Sequence, residues 1–238
     1  MFGIWKLHRR VDQLGLDLWN LCLSWRLART PDYCFTTDYV THHAPTWCQQ
    51  LASLRGTADA RLLEVGSFEG RSAIWFLDNV LTHPTATITC VDPFYGPGLE
   101  ARFDHNIRVS GHAAKVVKIK GPSEAVLLDL EPASYDAIYV DGSHRAVNVM
   151  MDAALSWTLL KPGGVLTFDD YLWHPERPAW ARPQLAIDLF LSMVGTDAVI
   201  LHKAYQVIVR KPAWSPDGSL AAKNETAMQT TDGAEDYQ

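Results

Sequence analysis

From residue 61 onward, short apolar runs alternate with longer stretches of helical period. Residues 61–65, 87–91, 115–120, 135–140 and 165–168 read as strands, too short for helices and rich in β-branched or aromatic side chains. Between them lie helical stretches at 71–81, 99–109, 123–130 and 146–159. A helix over 184–193 then precedes two strands, 198–202 and 205–210, close enough to form a hairpin. Alternation of this kind means a parallel sheet covered on both faces. The predicted fold class is α/β and Rossmann-like, a mostly parallel seven-stranded sheet with an antiparallel C-terminal hairpin.

The ends of the chain read differently. Ile4, Leu7, Val11, Leu14, Leu18, Leu21 and Trp25 recur at steps of three and four, which predicts an amphipathic helix over residues 4–28. That helix either packs on its own domain or makes a homodimer contact. A membrane-surface role fits less well, because Asp12 and Asp17 interrupt the arginines of its polar face. Residues 213–238 hold little apolar content and read as a disordered acidic tail. The expected organisation is a helical extension over 1–35, one α/β domain over 36–212, and the tail.

Composition narrows the function classes. With 238 residues, 47% of them hydrophobic, the chain can bury one sizeable core. The net charge is −6, and the basic first thirty residues and the acidic tail leave an acidic body. No basic stripe of the kind nucleic acid requires is present, so a small or neutral substrate is expected. Cys22, Cys34, Cys48 and Cys90 show no C-x-x-C spacing and read as free thiols in a reducing compartment. No apolar stretch reaches membrane-spanning length, and residues 6–10 lead into no signal-peptide core; a cytoplasmic location is expected.

The chemistry gathers at two strand ends. Asp141-Gly142-Ser143-His144 follows residues 137–140, and Asp169-Asp170 follows residues 165–168. Neighbouring parallel strands would bring these groups together at the carboxyl edge, where open α/β sheets bind ligands. Three carboxylates so close would repel one another and take up protons unless a cation neutralised them. A hard divalent ion held by Asp141, Asp169 and Asp170, with His144 beside it as a base, is the economical reading. An acid-capped turn without metal is the plainer one.

A second site component precedes it. Leu62-Leu63-Glu64-Val65-Gly66-Ser67-Phe68-Glu69-Gly70 is an apolar strand, a glycine turn and the start of a helix. Gly66 and Gly70 permit close backbone approach by a ligand. A dinucleotide enzyme would want G-x-G-x-x-G, whereas this turn offers only G-x-x-x-G with Phe68 inside it. Asp92, ending the next strand, can accept hydrogen bonds from ribose hydroxyls.

Taken in order, these segments, with Val91-Asp92-Pro93, Leu160-Lys161-Pro162-Gly163-Gly164 and Asp169-Asp170-Tyr171, carry a family resemblance. Over roughly residues 36–211 the chain resembles the class I S-adenosylmethionine-dependent methyltransferases. Within them it looks like the small metal-dependent O-methyltransferases, in the bacterial branch that includes macrocin-type sugar enzymes. The resemblance implies that Glu64 and Gly66 frame the methionine part of S-adenosylmethionine, Asp92 the ribose and Ser123 the adenine. Ser67, Gly70 and Asp141 join that cofactor-binding set, and Ser123 reads equally well as a helix cap. It further implies Mg2+ on Asp141, Asp169 and Asp170. The family's catalytic lysine position is His144 here, and Ser143 departs from the acidic base of macrocin-like relatives, so His144 is the expected general base.

The implied reaction is in-line methyl transfer to a hydroxyl of a small molecule or sugar. The alternatives are a metal-independent N- or O-methyltransferase, or a non-catalytic cofactor-binding partner subunit. The loop over 172–182, with Trp173, His174 and Trp180, reads as lid and substrate wall. His42 and His43 approach from the other side but stay outside the expected catalytic set.

Overall fold

The computed structural model describes residues 32–213. The helix expected over 4–28 and nearly all of the acidic tail lie outside the described residues. Within them, seven strands form one sheet: β1 (Arg61–Val65), β2 (Thr87–Asp92), β3 (Val116–Lys120), β4 (Tyr135–Val140), β5 (Leu160–Phe168), β6 (Val199–Lys203) and β7 (Val207–Arg210). Their order is β3-β2-β1-β4-β5-β7-β6. The first five pair in parallel, while β7 runs antiparallel to both β5 and β6. The expected sheet and C-terminal hairpin are both present.

The helices are α1 (Ala44–Gln50), α2 (Arg71–Asn79), α3 (Leu99–Ser110), α4 (Ser123–Val126), α5 (Ala146–Leu159) and α6 (Gln184–Val194). Successive strand residues point to opposite sides, so the sheet feeds two cores. Leu62, Ile88, Ala137, Tyr139 and Ile208 pack with Trp47, Ile74, Phe76 and Phe103 of α1 to α3. Leu63, Val91, Ile138, Val140 and Leu166 pack with Val149, Ala153, Ile187 and Phe190 of α5 and α6.

Two elements differ most from the sequence reading. The fifth strand was expected over 165–168. Instead β5 begins at Leu160, directly after α5, and runs through the glycines, with Gly163 accepting a φ of +81°. The helix expected over 123–130 is a four-residue turn of helix continued by a 3-10 segment.

The ladder continues one step past the strand ends, and this positions the site. Gly66 N–H donates to Val91 O at 2.8 Å, Asp141 N–H to Val65 O at 2.8 Å, and Asp169 N–H to Val140 O at 3.0 Å. Gly66, Asp141 and Asp169 therefore stand side by side at the carboxyl edge.

Candidate active site

A cavity of about 890 Å3 opens at that edge. Its walls run from Gly66, Asp92 and Ser123 at one end to His43, His144, Asp169, Asp170, Trp173 and Tyr205 at the other. Asp141 lies where the two ends meet.

At the first end, Gly66 has a φ of +89°, which a residue with a side chain rarely adopts. Phe68 follows at +47°, with its ring partly exposed and facing the cavity. Asp92 fixes this turn: its Oδ2 accepts from Phe68 N–H at 2.9 Å and its Oδ1 from Phe94 N–H at 2.6 Å. Each oxygen keeps a second lone pair for a ligand hydroxyl. Glu64 and Ser67 sit behind the wall, and neither Glu64 oxygen nor Ser67 Oγ has a partner in good geometry. Burial pushes the Glu64 carboxyl up to about 7, against the opposing influence of Ser67, Ser72 and Cys90 around it. Gly70 is spent on packing, since a Cβ there would meet the Phe103 ring at 3.1 Å. The fit to a cofactor thus rests on a glycine cradle, an acid at its rim and buried polar atoms behind it.

The second end is built from pieces far apart in the chain. His144 Nε2 lies 2.7 Å from Asp170 Oδ2, and its ring stacks on Trp173 at 4.1 Å between centroids. Tyr205 donates its hydroxyl to Asp170 Oδ1 at 2.7 Å. Burial raises the Asp170 carboxyl, but His144 and Tyr205 outweigh it and leave the net value lowered. Asp170 also adopts a φ of +59°, which turns its side chain away from that of Asp169.

Asp169 is buried, accepting from Asp170 N–H at 2.7 Å and from Gln206 Nε2 at 3.0 Å. His43 Nε2 stands 3.5 Å from Asp169 Oδ1, and burial holds that imidazole below its usual value despite the carboxylate. The Tyr139 hydroxyl lies between Asp169 Oδ2 and Asp141 Oδ2, 3.0 Å from the latter. Burial, then the charges of Asp169 and Asp170, push the Asp141 carboxyl well above the ordinary range.

The expected residues Gly66, Asp92, Ser123, Asp141, His144, Asp169 and Asp170 line one cavity, whereas Glu64, Ser67 and Gly70 stand behind it. Ser123 opens α4 without a side-chain capping bond. Of the loop residues, Trp173 and not Trp180 faces the cavity; Trp180 is exposed and His174 pairs with Glu176. Among the described residues, no group of three or more His, Cys, Asp or Glu side chains is placed to hold a metal ion. The expected Mg2+ triad is brought to one place, but its oxygens face protein donors.

Sequence reasoning missed Tyr139, Tyr205 and Gln206 and set His43 aside. Tyr139 had a local signal, since it lies two residues before Asp141 on the same face of β4. Gln206 had none: it is reached through Trp47 Nε1–H donating to its Oε1 at 2.9 Å, across 159 positions.

Residues 63–171 match a family model described as a methyltransferase domain. An uncharacterised protein of Acanthamoeba polyphaga mimivirus is 29% identical over 136 residues, which cover 54% of this chain and 60% of that protein. The chain thus spans less than two thirds of that relative's length. An O-methyltransferase from Bacillus cereus in complex with SAH superposes with a TM-score of 0.58 at 18% identity, covering 85% of this chain and 97% of the other. The O-methyltransferase TomG from Streptomyces achromogenes, in complex with SAM and involved in tomaymycin synthesis, gives 0.56 at 16%, covering 78% and 85%. The SAH-bound methyltransferase PaMTH1 of Podospora anserina gives 0.57 at 19%, covering 89% and 97%. At these identities the superpositions speak for the fold, and the family match speaks for the domain. Over residues 63–171 the chain is similar to a methyltransferase domain, and its sheet order and glycine cradle accord with that likeness.

Proposed function

We propose that the chain is an O-methyltransferase acting on a hydroxyl of a small molecule or sugar, with His144 as general base. The observation that carries this reading is the single cavity joining Gly66, Asp92 and Ser123 to His144 and Asp170. When bound, S-adenosylmethionine supplies an electrophilic methyl group on a sulfonium. Gly66 lets the backbone close on it, and Asp92 offers lone pairs to its ribose.

His144 is held by Asp170 through Nε2, which leaves Nδ1 to take the acceptor's hydroxyl proton. The acceptor oxygen forms a bond to the methyl carbon as the carbon–sulfur bond breaks, and the electron pair stays on sulfur as a neutral thioether. Trp173 stacks on the imidazole ring and fixes its orientation. The O-methyltransferases of similar fold support oxygen over nitrogen as the acceptor atom.

Magnesium assistance was expected from the acidic triad, but the carboxylates as arranged do not converge on a common point.

The test is isothermal titration with S-adenosylmethionine, followed by transfer of labelled methyl to a panel of hydroxylated sugars and phenols. His144→Asn should keep cofactor affinity and lose turnover. Absence of cofactor binding by the wild type would end the reading.

A further inference from the structure

Five of the six oxygens of Asp141, Asp169 and Asp170 are engaged by protein groups. Asp169 gives Oδ1 to the Asp170 N–H and Oδ2 to the Gln206 amide. Asp170 gives Oδ1 to Tyr205 and Oδ2 to His144. Asp141 Oδ2 and Asp169 Oδ2 share one neighbour, the Tyr139 hydroxyl. Magnesium asks for about six oxygens in near-octahedral array and keeps several waters among them. The small void lined by Asp141, His144, Asp169 and Asp170 measures about 10 Å3, room for about one water.

We propose that Tyr139 takes the position between Asp141 and Asp169 from which a divalent cation would reach both, so that this acidic cluster binds no metal.

The Tyr139 hydroxyl stands within hydrogen-bond reach of both carboxylates, filling the space between Asp141 Oδ2 and Asp169 Oδ2.

The donors are also held from behind. The Tyr139 ring packs edge-on against Trp47 at 5.2 Å and Phe76 at 5.5 Å. Gln206 is 2% exposed and locked by the Trp47 indole. Turning Asp169 toward an ion would strip the buried Gln206 amide of its acceptor. Tyr139 is therefore a positioning residue, acting through the two carboxylates. The functional consequence, methyl transfer without metal, rests on the reading proposed above; the binding statement stands by itself.

The experiment titrates Mn2+ into the full chain after dialysis against EDTA, reading free Mn2+ by electron paramagnetic resonance with and without S-adenosylhomocysteine. Wild type should leave Mn2+ free at micromolar to submillimolar concentration. Tyr139→Phe, which exposes the two carboxylates to each other without the donor, should gain one site at least tenfold tighter, and adding Asp169→Asn should abolish it. Stoichiometric Mn2+ on the wild type, lost in Asp169→Asn, would overturn the proposal. So would a folded Tyr139→Phe variant that binds S-adenosylhomocysteine yet gains no Mn2+ site. Should that variant not fold, the wild-type titration decides alone. Calorimetry with S-adenosylhomocysteine reports separately on the methyltransferase reading, whichever way the metal result falls.

Discussion

A Cβ placed on Gly66 would stand 2.1 Å from the carbonyl oxygen of Asp141. The Gly66 turn and the loop that begins at Asp141 are thus pressed together, backbone on backbone. Gly66→Ala must move one loop or the other and also strain a φ of +89°. The expected result is loss of detectable S-adenosylmethionine binding by calorimetry, with a lower melting temperature. A variant that binds normally would mean the two loops are not coupled as described.

Asp92 answers two demands with one carboxylate. Replacing it by Asn keeps the shape but puts an NH2 group against either Phe68 N–H or Phe94 N–H. Hydrogen bonds to a charged acceptor are worth about 1.5–3 kcal/mol, so cofactor affinity should fall by roughly 10- to 100-fold. Titration calorimetry with S-adenosylhomocysteine measures this without any acceptor.

His144→Asn removes the proposed base while leaving the Asp170–Tyr205 contact in place. Loss of a general base costs about 10²- to 10⁴-fold in turnover. Cofactor affinity should change by less than about twofold. A variant with wild-type turnover would move the base elsewhere, and His43 is the next group to examine.

Glu64 predicts a pH effect on stability. Its folded carboxyl is raised from 4.5 to about 7 by burial. A raised acid binds its proton more tightly in the folded state, so stability is lost as pH climbs from 4.5 to about 7 and the loss is complete above that. The full cost is about 3 kcal/mol as an upper figure. Glu64→Gln should therefore raise the melting temperature at pH 8 and do little at pH 4. Equal shifts at both pH values would contradict the burial argument.

The parallel sheet was legible because its strands are short apolar runs separated by helices, a signal carried by neighbouring residues. The Gly66 turn, Asp92, Asp141 and the Asp169-Asp170 pair were legible for the same reason: each sits at the end of one such run. What surrounds them was not. Tyr205 reaches Asp170 across 35 positions, and Trp47 reaches Gln206 across 159. A linear pattern holds no trace of such pairings. The three acids read as cation ligands because their charges are local, whereas Gln206 and Tyr205 reach them from far along the chain and Tyr139 stands among them only in the fold. His43 looked like a loop residue, yet the chain folds it under Tyr205 and beside Trp47, 7% exposed.

Trp47→Phe tests that long-range closure. It removes the indole donor and leaves Gln206 Oε1 buried and unmatched, at a cost of about 1–3 kcal/mol. Thermal denaturation should shift down by several degrees, and acceptor turnover should suffer more than cofactor binding.

The same indole–amide bond ties an early segment of the chain to a late one. Residues 61–141 hold Gly66, Asp92, Ser123 and Asp141, so one end of the cavity comes from a continuous stretch closed by the pairing of β4 with β1. The opposite wall draws on both ends of the described chain, because Trp47 lies near its start and its partner Gln206 near its end. The pairing of β7 with β5 therefore closes the cavity with residues from both ends of the described chain.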